Sequence, residues 1–318
     1  TRDKVIRREL KLQEGELFNS KNMKRSQQRV VNLGLFEEVE FNVSEGPEPN
    51  TVDLNIDIAE RSSIGAFNFG GGWDSVDKWV VSGGVSASNL FGLNHSLDLS
   101  ATLGRTSQTF NISYTMPRFL DSKYLVGLDA YNLKRDYDAY DSQRTGGGIR
   151  FGRRLSDTIF GTVKYRFEQV DITDVQEDAS TRIKEAEGLS RTSSTTLLLK
   201  RSTINNVWLP TQGMITKLSG ELAGGVLGGD NDFYKAILDH KLYVPLFKDV
   251  ALRFRGELAY VTEYGDSDNV PIFERFFGGG ANTIRGYEER SIGPKDENDE
   301  PLGGDKRVVL TSEVIVPV

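Results

Sequence analysis

Apolar and polar residues alternate with period two through most of this chain. In residues 109–116 the even positions are Phe110, Ile112, Tyr114 and Met116, and the odd ones are Thr109, Asn111, Ser113 and Thr115. Val163, Tyr165 and Phe167 interleave with Lys164, Arg166 and Glu168, and Leu252, Phe254, Leu258 and Tyr260 with Arg253, Arg255 and Glu257. Leu97, Leu99, Ala101 and Leu103 do the same with Asp98, Ser100 and Thr102. Successive side chains of a strand point to opposite faces, so each segment is an amphipathic strand. Roughly twelve such strands are expected, centred near residues 68, 83, 99, 112, 128, 148, 164, 198, 217, 239, 256 and 312.

The first sixty residues read differently. Thr1 is expected to cap a helix over residues 2–10, with Asp3 favourably placed in its first turn. Asn19 or Ser20 caps a second over 21–33, and Gly34 stands where a helix stops. Two strands come next at 36–43 and 51–59, joined through Gly46-Pro47-Glu48-Pro49-Asn50. The order is α, α, β, β. One two-stranded ribbon makes a thin core, so a further strand is expected upstream of Thr1.

The links between strands decide what kind of sheet this is. Tight ones at 90–94, 117–122, 153–157 and 245–249 contrast with longer polar ones at 136–144, 171–190 and 265–304. Each strand supplies about 9 to 11 residues, the length that crosses a bilayer when tilted by about 45°. Short turns on one side and long loops on the other mark an outer-membrane barrel. Tyr114, Phe119, Tyr124, Tyr243 and Phe247, near strand ends, suit an interfacial girdle. A soluble sandwich or barrel also alternates. Strand length, loop asymmetry and strand number favour the membrane barrel.

Composition narrows the functions. The 318 residues are 37% hydrophobic and 27% charged, with 46 acidic against 39 basic residues and a net charge of −7. No basic excess exists to displace counterions from phosphates, so nucleic acid is not a partner. No apolar run of about 20 residues occurs, which excludes helical spans; barrel strands show lipid only alternate residues and escape that test. Cysteine is absent, so disulfides, thiol catalysis and cysteine metal sites are excluded. His95 falls in a tight turn and His240 shares parity with Leu238 and Leu242, so neither suits a triad or a zinc site. Gly278-Gly279-Gly280 lacks the residues of a phosphate loop and reads as a flexible loop base. Asp266-Ser267-Asp268-Asn269 begins like a calcium loop, but Val270 and Phe277 fill its fifth and twelfth positions. The acidic stretch 295–300 reads as a solvated loop tip. No metal, cofactor or enzymatic activity is expected.

One stretch carries a resemblance. Phe273-Glu274-Arg275-Phe276-Phe277-Gly278-Gly279-Gly280-Ala281-Asn282-Thr283-Ile284-Arg285-Gly286-Tyr287, followed by Ile292-Gly293-Pro294, is similar to the (V/I)-R-G-(F/Y) loop-6 region of the BamA family. Those proteins are central subunits of the outer-membrane β-barrel assembly machinery. Leu33-Gly34-x-Phe36-x-x-Val39 resembles the helix-to-strand signature of the family's last POTRA domain, and Gly65-Ala66-Phe67-Asn68-Phe69-Gly70 the start of its first barrel strand.

The resemblance implies a mainly β fold, a transmembrane antiparallel β-barrel preceded by a small α/β POTRA domain. Residues 1–60 would be the last POTRA domain without its first strand. Residues 61–318 would be strands 1 to 12 of a sixteen-stranded barrel, with loop 6 at about 265–304. The last residues, Val316-Pro317-Val318, lack the terminal aromatic of an outer-membrane barrel, and an unclosed sheet in lipid exposes unpaired backbone groups. The chain is therefore expected to be part of a longer protein.

The same resemblance implies a function. Such a protein folds and inserts barrel proteins into the outer membrane of a Gram-negative bacterium, with its POTRA domain in the periplasm. Its partners would be unfolded outer-membrane proteins, accessory lipoproteins, periplasmic chaperones and outer-membrane lipid. Ile284, Arg285, Gly286 and Tyr287 would form a lumen plug, with Glu313 as the partner of Arg285 and Gly286 allowing close backbone approach. Gly65, Phe67, Asn68, Phe69 and Gly70, within the segment from Ile64 to Gly71, would line a lateral gate that accepts a substrate strand by edge pairing. Arg7, Arg8 and Glu14 match positions that contact an accessory lipoprotein. A two-partner secretion pore and a passive diffusion channel are the competing readings.

Overall fold

The computed structural model describes residues 1–61, 65–74, 77–247 and 250–316. Ile64, part of the expected 245–249 turn and Pro317-Val318 lie outside these residues.

The front domain is built as its periodicity indicates, with one change at the start. Helix α1 spans Asp3–Arg7 and α2 spans Ser20–Val31; strands β1 (Phe36–Glu45) and β2 (Val52–Glu60) pair antiparallel. Val5, Val30, Leu35 and Phe36 form its buried core, with Leu10, Phe41 and Ile58 packed against them. Asn19 caps α2 by accepting from the backbone N–H groups of Lys21 and Asn22. Thr1 does not cap α1. Arg2 holds that position without a side-chain bond, and the Thr1 hydroxyl instead accepts from Asn89 at 2.8 Å. Through Asn89, Thr1 ties the front domain to the large sheet.

That sheet is twelve-stranded and antiparallel, and every strand in it pairs with its sequence neighbours. Its strands are β3 (Gly65–Asp74), β4 (Lys78–Leu90), β5 (His95–Gly104), β6 (Ser107–Met116), β7 (Tyr124–Asp136) and β8 (Asp141–Arg154). They continue with β9 (Ile159–Thr173), β10 (Gly188–Ser202), β11 (Gly213–Ala223), β12 (Phe233–Phe247), β13 (Val250–Glu263) and β14 (Lys306–Ile315). A short helix, α3 (Thr181–Glu185), lies between β9 and β10. Each expected strand centre falls inside one of these strands. Among the described residues β3 pairs with β4 and β14 with β13, and no pairing joins β3 to β14.

Register turns the alternation into two surfaces. Phe67, Val85, Leu99, Ile112 and Ala130 stand opposite one another across β3 to β7, as do Leu199, Leu218, Leu238, Leu258 and Val308 across β10 to β14. Most of these apolar side chains are exposed. The opposite parity carries Asn68, Ser100, Asn111, Tyr131 and Glu168 on one half and Lys217, Asp239 and Glu257 on the other. An apolar exterior with a polar interior is what a lipid-embedded barrel wall requires. His240 faces outward, where its Nδ1 meets the Thr216 hydroxyl at 2.9 Å. Tyr243 is a correction to the expected girdle: it shares parity with Asp239 and Lys241, faces inward and is buried.

The links also depart from expectation. Residues 137–140 make a short turn because β7 and β8 run on into the expected loop, whereas 203–212, on the short-turn side, is ten residues long. Asymmetry thus rests on 174–187 and on 264–305. The front domain sits on the short-turn side. Arg2 donates its backbone N–H to Gly92 O and its guanidinium to Phe91 O, while Lys4 pairs with Asp121 at 2.9 Å. Glu9, with a side chain only 12% exposed, joins Arg29 of α2 to Arg118 beyond β6.

Candidate functional site

The link 264–305, here called loop 6, enters the polar face of the sheet. Its base is a single 3-10 turn, Ile272–Glu274, entered through Pro271. Ile272 packs into a core with Tyr140, Val170, Ile172 and Ile183, which lies under the turns at the long-loop end. Phe276 packs with Ala223, Phe233, Ala259 and Val261 on the wall. Beyond this base the two arms of the loop zip together. Phe276 and Gly304 exchange both backbone hydrogen bonds, Gly278 and Ile292 do so at 3.1 Å, and Gly280 donates to Tyr287 O at 3.0 Å. Gly279 is not a flexible base. Its φ is +101°, and a Cβ there would lie 2.0 Å from Glu288 O, so only glycine lets the arms approach.

Three tiers of charge hold the loop to the wall. At the base, the Glu274 carboxylate is 4% exposed and is gripped by Lys235 of β12, Arg166 of β9 at 3.1 Å and Arg144 of β8 at 3.6 Å. Glu168 and Glu221 complete the cluster: Arg144 reaches Glu168 at 2.7 Å, and Arg166 reaches Glu221 at 2.7 Å. Burial pushes the Glu274 carboxyl up, but Lys235, Arg166 and Arg144 outweigh it and hold the group at about 2. In the middle tier Arg307 bonds Glu257 and donates to Phe277 O at 2.9 Å, and Arg255 bridges Asp239 and Glu257 while donating to Asn282 O at 3.2 Å. In the third tier Arg285 Nη2 lies 2.9 Å from Glu313 Oε1, and Arg253 takes Glu313 Oε2.

The tip reaches far along the wall. Arg307 stands opposite Ala259 and Glu313 opposite Arg253, so Glu313 lies six residues along β14 from Arg307. At about 3.3 Å per residue that is roughly 20 Å of strand. The chain enters at the long-loop end and its arginine lands near the short-turn end.

The residues singled out from sequence are spread over three places. Arg285 and Glu313 are together, although Arg285 stays 73% exposed. Gly286 has φ +88° with nothing within 4 Å of a Cβ among the described residues; conformation, not the expected close approach, calls for glycine there. Ile284 and Tyr287 flank it, both exposed. Gly65, Phe67, Asn68, Phe69 and Gly70 lie on β3, whose only described partner is β4. Phe67 and Phe69 project from the apolar face at 75% and 74% exposure, and Asn68 has the opposite parity. In the front domain Arg7 is occupied by Asp3 and by Glu14 at 2.8 Å, and Arg8 reaches Leu93 O, toward the sheet.

Glu274 and the partner of Arg253 escape a reading by periodicity. Glu274 sits in a loop, where alternation has no meaning, and its only signal is a lone carboxylate among Phe273, Phe276 and Phe277. Arg253 shares parity with Arg255, which places it on the polar face but names no partner. No group of three or more metal-ligating side chains occurs among the described residues.

Comparison with known proteins agrees with this architecture. The model of the Omp85 superfamily domain matches residues 89–318, and a POTRA model, described as a surface antigen variable number repeat, matches residues 1–61. The chain is 33% identical over 316 residues to the outer membrane protein assembly factor BamA of Nitratidesulfovibrio vulgaris, covering 99% of this chain and 40% of that protein. It is 30% identical over 341 residues to BamA of Neisseria meningitidis serogroup B, covering 100% of this chain and 42% of that protein. The chain thus spans about two fifths of these relatives. The crystal structure of BamA from Haemophilus ducreyi lacking POTRA domains 1–3 superposes with a TM-score of 0.79 at 24% identity, over 100% of this chain and 65% of that one, a likeness of fold.

Proposed function

Because this chain belongs to the Omp85 superfamily, we propose that the protein it forms folds and inserts β-barrel proteins into the outer membrane, pairing their strands at an exposed edge. It lies in the outer membrane with its POTRA domain in the periplasm. Its substrates are unfolded outer-membrane proteins, and accessory lipoproteins and periplasmic chaperones deliver or position them at the POTRA side. No covalent step is involved, so it is a catalyst of folding, not an enzyme acting on bonds.

The observation that carries this reading is the glycine-rich make-up of β3, the first strand of the sheet. Gly65–Asp74 bonds β4 along its length. Main-chain hydrogen bonds of such a strand can be exchanged for those of an incoming one. Three successive glycines, Gly70 to Gly72, leave its far half with little side-chain packing, which favours exchange of partners. The front domain docks on the turns that follow β4 and β6, through Arg2 on Gly92 O and Phe91 O and Lys4 on Asp121, the side from which a periplasmic polypeptide would arrive. Loop 6 supports the same reading by lying along the polar face of the sheet, held there by Arg255, Arg307 and Glu313.

The test places single cysteines on β3, at Asn68 and at Gly70, in the full-length protein in liposomes, and offers a substrate stalled in assembly with cysteines along its last strand. Disulfides in one fixed register are expected. Random or absent cross-linking would set the edge-pairing reading aside.

A further inference from the structure

We infer that Glu274 is a positioning residue that seats loop 6, so that Arg285 is placed at Glu313 by an anchor eleven residues away. This rests on the proposed role of loop 6, but its geometry is independent of what the protein assembles.

The buried cluster is balanced in charge only with the loop in place. The wall contributes Arg144, Arg166 and Lys235 to the buried cluster against Glu168 and Glu221, an excess of one cation. The loop supplies the missing carboxylate. Burial of an uncompensated charge is strongly unfavourable, so the loop is held where that carboxylate completes the cluster. Three strands, β8, β9 and β12, grip the one group, which defines its position in all directions. Arg144 also donates to Phe273 O at 3.4 Å, holding the adjoining backbone.

The loop is also stiff. Between Glu274 and Arg285 the loop is a zipped hairpin: the Phe276–Gly304 and Gly278–Ile292 pairs, the Gly280–Tyr287 bond and the Thr283 hydroxyl on Gly279 O at 2.6 Å leave no slack segment. A displacement at the base is therefore passed to the tip. Contrast adds to this. Arg285 holds one oxygen of a carboxylate whose other oxygen Arg253 takes, whereas the buried Glu274 is held by three cations. A buried anchor with three partners sets the position; a tip that shares its partner reports it.

The experiment uses the full-length protein in proteoliposomes, with spin labels on cysteines placed at Asn282 in the loop tip and at Thr158 in the turn between β8 and β9. The distance distribution of the otherwise unaltered protein is expected to be narrow. Glu274→Gln leaves one buried cation unpaired and is expected both to lower barrel stability and to broaden the distribution. Glu274→Gln with Lys235→Gln removes that cation, so barrel stability recovers while the distribution stays broad. A purely structural role predicts that stability and distance recover together. A narrow distribution in either variant would overturn the inference. Should the single variant not fold, the double variant carries the test alone. Distances are read without substrate, so failure of the assembly reading would leave this result intact.

Discussion

Arg285 and Glu313 meet at 2.9 Å near the short-turn end of the wall, and the second oxygen of the Glu313 carboxylate is held by Arg253 across the β13–β14 ladder. Removing Arg285 therefore leaves no orphaned carboxylate. Arg285→Ala is expected to change barrel stability by less than about 1 kcal/mol, because Arg253 still holds the carboxylate, while lowering assembly yield in proteoliposomes. Arg253→Gln alone should behave mildly for the same reason. The double variant leaves Glu313 unpaired and should exceed the sum of the two single effects, read as a coupling in thermal or denaturant unfolding. Simple additivity would show that the carboxylate is not shared.

The two glycines of loop 6 differ in why they are glycine, and the difference is measurable. Gly279 has φ +101° and no space for a Cβ, which would meet Glu288 O at 2.0 Å; Gly286 has φ +88° and open space. Gly286→Ala should cost about 1 kcal/mol, the ordinary penalty for a left-handed alanine. Gly279→Ala adds a backbone clash and should separate the loop arms, seen as proteolysis within 280–290 of an otherwise folded barrel. Equal protection in the two variants would contradict the geometry.

Glu9 ties the front domain to the sheet through Arg29 and Arg118, with its side chain 12% exposed. Glu9→Gln keeps the shape and removes the charge, which should weaken docking by roughly 1–3 kcal/mol, the span of a hydrogen-bonded charge in a partly buried site. The check is the spread of distances between labels on α2 and on the 117–122 turn. It should widen in the variant, while the fold of both parts, read by circular dichroism, stays the same.

The seat of loop 6 should survive mild acid. The Glu274 carboxyl is held at about 2, below its ordinary 4.5. A depressed carboxylate contributes stability that is fully present above 4.5 and is lost as pH falls toward 2. Labels at the loop tip should therefore report an unchanged distance from neutral pH down to 4.5, and loosening only below that. Loosening at a higher pH would place control in another group.

Much of the wall is legible from alternation, because period two is imposed by the backbone itself and each strand has one apolar face. Parity alone places Arg253, Arg255, Glu257, Arg307 and Glu313 on one side of the sheet. What alternation does not carry is anything that depends on neighbours. Tyr243 looks like a girdle aromatic by its place near a strand end, but its parity with Asp239 and Lys241 turns it inward. Thr1 looks like a helix cap, but its hydroxyl instead accepts from Asn89, far away in sequence. The expected loop at 136–144 is mostly strand, since polar residues such as Asp141 and Gln143 are as acceptable in a barrel rim as in a loop. Glu274 is the sharpest omission. A loop has no periodicity to mark it, and the cations that define it come from three separate strands.

The central claim, that this protein assembles barrels, is tested most directly by one rate. The full-length protein in liposomes is mixed with a urea-denatured outer-membrane barrel protein, and folded, protease-protected substrate is followed with time. Acceleration over empty liposomes by about tenfold or more, equivalent to about 1.4 kcal/mol at the barrier, is expected, and Arg285→Ala should reduce it. A rate equal to that of empty liposomes, accompanied by steady ion conductance that Arg285→Ala leaves unchanged, would contradict it and identify a passive channel.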